Sequence, residues 1–142
     1  MSELGFRNFV GVDGSKGMLD LAAQSGLYQD LRLALLGTDP LPAQTGAFDL
    51  VVIIGALRAG FVPVSVIREL WQAAKPGGYV CMSRVDPKSE SGEKYKLSMK
   101  RELQQMEEEG LDLLTLNDHW GDLILFPSKI YHKFLCFSNI QF

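Results

Sequence analysis

With 142 residues, 46% of them hydrophobic and 22% charged, the chain fits one soluble globular domain with a modest core and leaves little room for two. A net charge of -3 gives no electrostatic footing for nucleic acid, and the basic stretch Lys94 to Arg101 runs into Glu107, Glu108 and Glu109, the pattern of a solvated helix face. Two cysteines, Cys81 and Cys136, exclude a disulfide scaffold, and no apolar run is long enough to span a membrane, so the composition predicts a cytoplasmic or nuclear protein with no membrane partner.

In chain order, Phe6 to Val12 reads as a buried strand running into the turn Asp13-Gly14. A helix capped by Ser15 follows, with Met18, Leu21 and Ala22 on one face and a stop at Gly26. Leu31 to Leu36 reads as a short apolar strand ended by Gly37-Thr38-Asp39-Pro40. Phe48 to Ile54 is an uninterrupted β-branched run, which predicts a central strand of a parallel sheet buried on both faces. Val66, Ile67, Leu70, Trp71 and Ala74 recur at helical spacing over about Pro63 to Ala74. Lys75-Pro76-Gly77-Gly78 ends that helix, Tyr79 to Ser83 is the next strand, and a polar loop from Arg84 to Glu93 leads to a charged helix over about Tyr95 to Glu109. Its apolar stripe is Tyr95, Met99, Leu103 and Met106. The tail from Leu111 to Phe142 alternates weakly and reads as strand without a clean period.

Strands alternating with helices predict an α/β fold with a mostly parallel sheet, in which ligands bind beyond the carboxyl ends of the strands. The residues there are Asp13, Gly37 to Asp39 and Gly55 to Leu57. An acid after the first strand suits the paired hydroxyls of a nucleoside ribose, with Gly14 letting the ligand approach the backbone; Asp13-Gly14 is equally ordinary turn chemistry. A phosphate loop starting at Val12 fails, because Lys16 is followed by Gly17 where Ser or Thr is required.

Three runs then carry a resemblance. GVDGSKGMLDLA (Gly11 to Ala22), LGTDPLPAQTGAFDLVVIIGAL (Leu36 to Leu57) and ELWQAAKPGGYVCM (Glu69 to Met82) resemble, in order, the second, the third to fourth, and the fifth strand segments of class I S-adenosylmethionine-dependent methyltransferases. The resemblance implies S-adenosyl-L-methionine as cofactor, bound by Asp13 at the ribose, with Gly14, Ser15 and Met18 bordering the adenosine. Met18 also sits on the apolar stripe of its helix. Gly37 and Thr38 match the turn at the adenine, although the acid expected there comes one residue later, at Asp39. Gly55, Ala56 and Leu57 match the segment under the methionine and methyl group.

Two departures stand out. The family's Asp-x-Gly-x-Gly-x-Gly loop occurs nowhere in the chain, and Met1 to Arg7 are too few to build the strand, loop and helix expected before the second strand. The fold expected is therefore an incomplete Rossmann-like class I methyltransferase sheet lacking its first strand and glycine-rich loop, with residues 1–110 a partial domain and 111–142 an extension. Losing the strand between the second and fourth leaves two inner edges, which must pair with each other, be filled by something else, or associate with another copy. The functions that follow are a methyltransferase-like protein with an unknown acceptor, small molecules being the first choice, or a non-catalytic remnant or splice variant serving as a binding or dimerisation module. No side chain stands out as a general base; Asp118, His119 and His132 lie in the tail.

Overall fold

A computed structural model describes residues 6–84, 89–111, 114–118, 121–126 and 134–138, and side chains over 6–83 and 89–111. His119 and His132 lie outside the described residues. The element order is β1 (Phe9–Asp13), α1 (Lys16–Gln24), β2 (Tyr28–Leu33), β3 (Phe48–Leu57), α2 (Val66–Ala73), β4 (Ala74–Arg84), α3 (Glu90–Glu108), β5 (Leu114–Asp118), β6 (Gly121–Phe126) and β7 (Phe134–Ser138).

The helices form where periodicity and caps agree. Ser15 is extended and its hydroxyl accepts from the Met18 amide at 3.4 Å, opening α1. Ser89 opens α3 in the same way, accepting from Gly92 at 3.1 Å, so this helix starts five residues before the apolar stripe does. In α2, Val66, Ile67, Leu70 and Ala73 are buried, one face of a short helix laid on the sheet.

One seven-stranded sheet runs β2-β1-β7-β3-β4-β6-β5. The strand pairs β1·β2, β1·β7, β3·β7 and β3·β4 are parallel, whereas β6 is antiparallel to both β4 and β5. Of the three outcomes open for the gap between β1 and β3, a segment of the tail fills it. Gly11 and Val52 face Cys136 from its two sides, and Phe137 lies between Val12 and Ile53. Strands from 111–142 thus complete the same sheet that 1–110 begins, because two unpaired inner edges would otherwise leave backbone N–H and C=O groups without partners.

The main core lies on the face covered by α2 and α3. Val51, Ile53, Leu57, Val66, Ile67, Leu70 and Met106 are fully buried there. Arg68 ties the two helices together by pairing with Glu102 and, at 2.8 Å, with Glu109. Among the described residues, no helix is long and apolar enough to cross a membrane, and no group of His, Cys, Asp and Glu is placed to hold a metal ion.

Candidate functional site

At the carboxyl ends of β1, β2 and β3 lies a cavity of about 930 Å3, a volume suited to a nucleoside-sized ligand. One wall is Val12 to Ser15 at the end of β1, a second is Ala34 to Thr38 after β2, and the third is Ala56 with the segment from Arg58 to Val64, closed by Tyr95 and Ser98 of α3.

Asp13 is the acid of this cavity. Only 8% of it is exposed; Oδ1 accepts from the Ser15 amide at 2.7 Å, while Oδ2 is buried with no hydrogen-bond partner among the described residues. Burial raises the Asp13 pKa above its ordinary value, and hydrogen bonds from the Ser15 and Gly14 amides work against that rise. A buried carboxylate oxygen without a donor is costly unless something supplies one, and a vicinal diol at the cavity floor would do so.

The second wall is a tight turn. Asp39 Oδ2 accepts from the Leu35 amide at 2.8 Å and the Asp39 amide donates back to the Leu35 carbonyl at 2.8 Å. The displaced acid is therefore engaged in its own turn, and Gly37 and Thr38 present the wall. Gly37 has φ +90, and a Cβ there would stand 2.2 Å from Pro63 Cγ, so the second and third walls meet at a position only glycine fits.

In the third wall, β3 and β4 change register between Ile53 and Leu57. Gly55, at φ +73, donates its amide to Ser83 Oγ at 3.1 Å within that irregularity. Ala56 then lines the cavity and Leu57 is fully buried in the core. Tyr95 Oη donates to the Val62 carbonyl at 2.6 Å, fixing α3 to the segment that follows β3.

Of the residues singled out from the sequence, Asp13, Gly14, Ser15, Gly37 and Thr38 come together around the cavity, while Met18, Gly55 and Leu57 are not in its lining. Leu57 packs among core residues, Met18 is half-buried on α1, and Gly55 shapes the strand that carries Ala56. Arg58 and Phe61 were not singled out from the sequence, and Tyr95 was read only as part of the apolar stripe of its helix. For Arg58 the available signal was position, since it is the charged residue immediately after a strand end.

The strand order, an antiparallel strand pair at one edge and a cavity at the carboxyl ends define a Rossmann-like class I methyltransferase fold, with the central position taken by β7. Residues 1–82, more than half the chain, match the methyltransferase domain family, and the chain belongs to it. It is 42% identical over 123 residues to methyltransferase-like protein 27 of Homo sapiens, an alignment covering 87% of this chain and 46% of that protein, so the chain spans about half the length of this relative. Among solved structures it resembles a Pyrococcus horikoshii protein at a TM-score of 0.61 and 17% identity, over 90% of this chain and 74% of the other. It also resembles a SAM-dependent methyltransferase from Thermotoga maritima at 0.53 and 17% identity, over 87% and 82%.

Proposed function

We propose that the cavity holds the adenosyl part of S-adenosyl-L-methionine and that the chain serves a methyltransferase-like function on a small-molecule acceptor. The observation that carries this reading is the buried, unpartnered Oδ2 of Asp13 facing no donor of its own among the described residues. In this reading Asp13 accepts from both ribose hydroxyls, Gly14 and Ser15 border the ribose, Gly37 and Thr38 border the adenine, and Ala56 lies beneath the methionine side. When bound, the donor supplies an activated methyl group; the chain's own residues bind it, orient it and exclude water.

Magnitudes limit the affinity. Two hydrogen bonds to an ionised acceptor contribute about 3 to 6 kcal/mol together, against an immobilisation cost of roughly 4 to 15 kcal/mol. The apolar walls, Ala34, Leu36, Val62 and Pro63 among them, supply the remainder.

The central sheet position taken by β7 favours a second reading, a module that takes the nucleoside or a protein partner without transferring a methyl group. Isothermal titration of the purified chain with S-adenosylmethionine and S-adenosylhomocysteine separates the two. Saturable binding that falls at least tenfold in Asp13→Ala supports the donor site, and the absence of heat at millimolar ligand rejects it.

A further inference from the structure

We propose that Arg58, seated on Phe61, is the carboxylate-recognition group of this cavity. Among the residues lining it, Asp13 is the acid and Arg58 the base, and they stand on different walls. They follow strands two positions apart, β1 and β3 with β7 between, so about 10 Å of sheet lies between those strands.

Three features make Arg58 a binding group rather than a surface charge. The turn after β3 is closed by the Arg58 amide donating to the Ala56 carbonyl at 3.0 Å and the Phe61 amide donating to the Arg58 carbonyl at 3.1 Å. That turn stacks the guanidinium carbon 3.7 Å from the centre of the Phe61 ring. Stacking fixes the plane of the group while leaving its in-plane donors available to an acceptor, the geometry that matches a carboxylate fork to fork. Finally, Nε is buried and has no hydrogen-bond partner among the described residues, and no carboxylate among them pairs with Arg58, whereas Arg32, Arg68 and Lys75 each have one. A desolvated donor in that state is stabilised by an anion that enters the cavity.

The carboxylate has two sources. It is either the aminoacyl end of the donor, whose ribose Asp13 would hold across the sheet, or a group on the acceptor lying beside the donor. The first source rests on the donor-binding reading above; the second does not.

The test compares wild type, Arg58→Met, Arg58→Lys and Asp13→Asn, each first shown to be folded by a cooperative thermal transition. Each is titrated calorimetrically with S-adenosylhomocysteine and with 5′-methylthioadenosine, which lacks the amino-acid end. Benzoate binding is followed by NMR on the same proteins, with and without S-adenosylhomocysteine. If the donor supplies the carboxylate, Arg58→Met weakens S-adenosylhomocysteine at least tenfold, changes methylthioadenosine less than twofold, and Arg58→Lys recovers part of the loss. If the acceptor supplies it, Arg58→Met leaves both nucleosides unchanged and abolishes benzoate binding. The proposal is overturned if Arg58→Met changes none of the three ligands, or weakens both nucleosides equally. Should neither nucleoside bind and Asp13→Asn have no effect, the donor reading fails alone, provided benzoate still binds through Arg58. A wild-type protein that takes none of the three overturns both.

Discussion

The two faces of the sheet are built differently. On one, α2 and α3 cover a cluster running from Val51 and Ile53 through Leu70 to Met99 and Met106; on the other, the described cluster is Phe9 and Val52, flanked by half-buried Phe6, Tyr28, Leu50 and Cys81. Helix α1 buries none of its residues, and Leu21 on it is 60% exposed, whereas Leu70 of α2 is 0% exposed. Among the described residues, most apolar burial therefore lies on the α2–α3 face, and the cavity sits at the carboxyl ends of the strands. What the two faces share is the sheet itself, and its centre depends on a strand from the tail.

Breaking that centre gives the largest expected effect. Cys136 lies in β7 opposite both Gly11 and Val52, so Cys136→Pro removes a backbone donor from a strand paired on both sides and introduces a ring clash. The expected cost is about 3 kcal/mol or more, seen in urea denaturation as a lost or strongly shifted transition; a midpoint unchanged from wild type would place β7 outside the sheet. The contrast between faces comes next. Leu70→Ala is expected to cost about 2 to 5 kcal/mol by cavity formation, while Leu21→Ala stays within about 0.5 kcal/mol of wild type. Equal effects in the same denaturation assay would erase the distinction drawn here.

A smaller effect probes the site at the carboxyl ends of the strands. Because the Asp13 pKa is raised on folding, the folded state holds its proton more tightly than the unfolded state. The stability associated with Asp13 is then fully present below the ordinary value of 3.8 and declines as pH rises through the raised folded value. Asp13→Asn does not titrate, so it should gain on wild type across that window, the gap closing again in acid. Denaturation midpoints measured from pH 3 to 7 that keep a constant difference would show that burial does not act on this carboxyl.

Much of this arrangement was legible in the sequence, for reasons visible in particular segments. FDLVVII announces β3 because a strand buried on both faces needs no alternation, and Ser15 announces α1 because only a side-chain acceptor there satisfies the Met18 amide. The second strand was misplaced: the apolar run Leu31 to Leu36 suggested a strand, yet β2 is Tyr28–Leu33. Its polar residues suit a sheet edge, and Ala34 to Leu36 are apolar because they line the cavity. Of the candidate site, the residues at strand ends could be read directly, since that position is set by topology. Arg58, next to the end of β3, was legible by position; Phe61 and Tyr95 were not, because a turn places Phe61 and a distant helix brings Tyr95 to the cavity through its hydrogen bond to Val62, and no local spacing encodes either. The place of β7 was hidden for a related reason: FLCFS reads as a strand, but only the unpaired edges of β1 and β3, 125 residues and 86 residues away at Phe9 and Phe48, specify which strand it is.

The account stands on β7 holding the Asp13 wall and the Arg58 wall in one register, and amide hydrogen exchange reads this most directly. Residues 134–138 should be protected to the same degree as Gly11 and Val52, their partners in the sheet. Exchange at the rate of an unstructured chain at 134–138, with Gly11 and Val52 still protected, would contradict it.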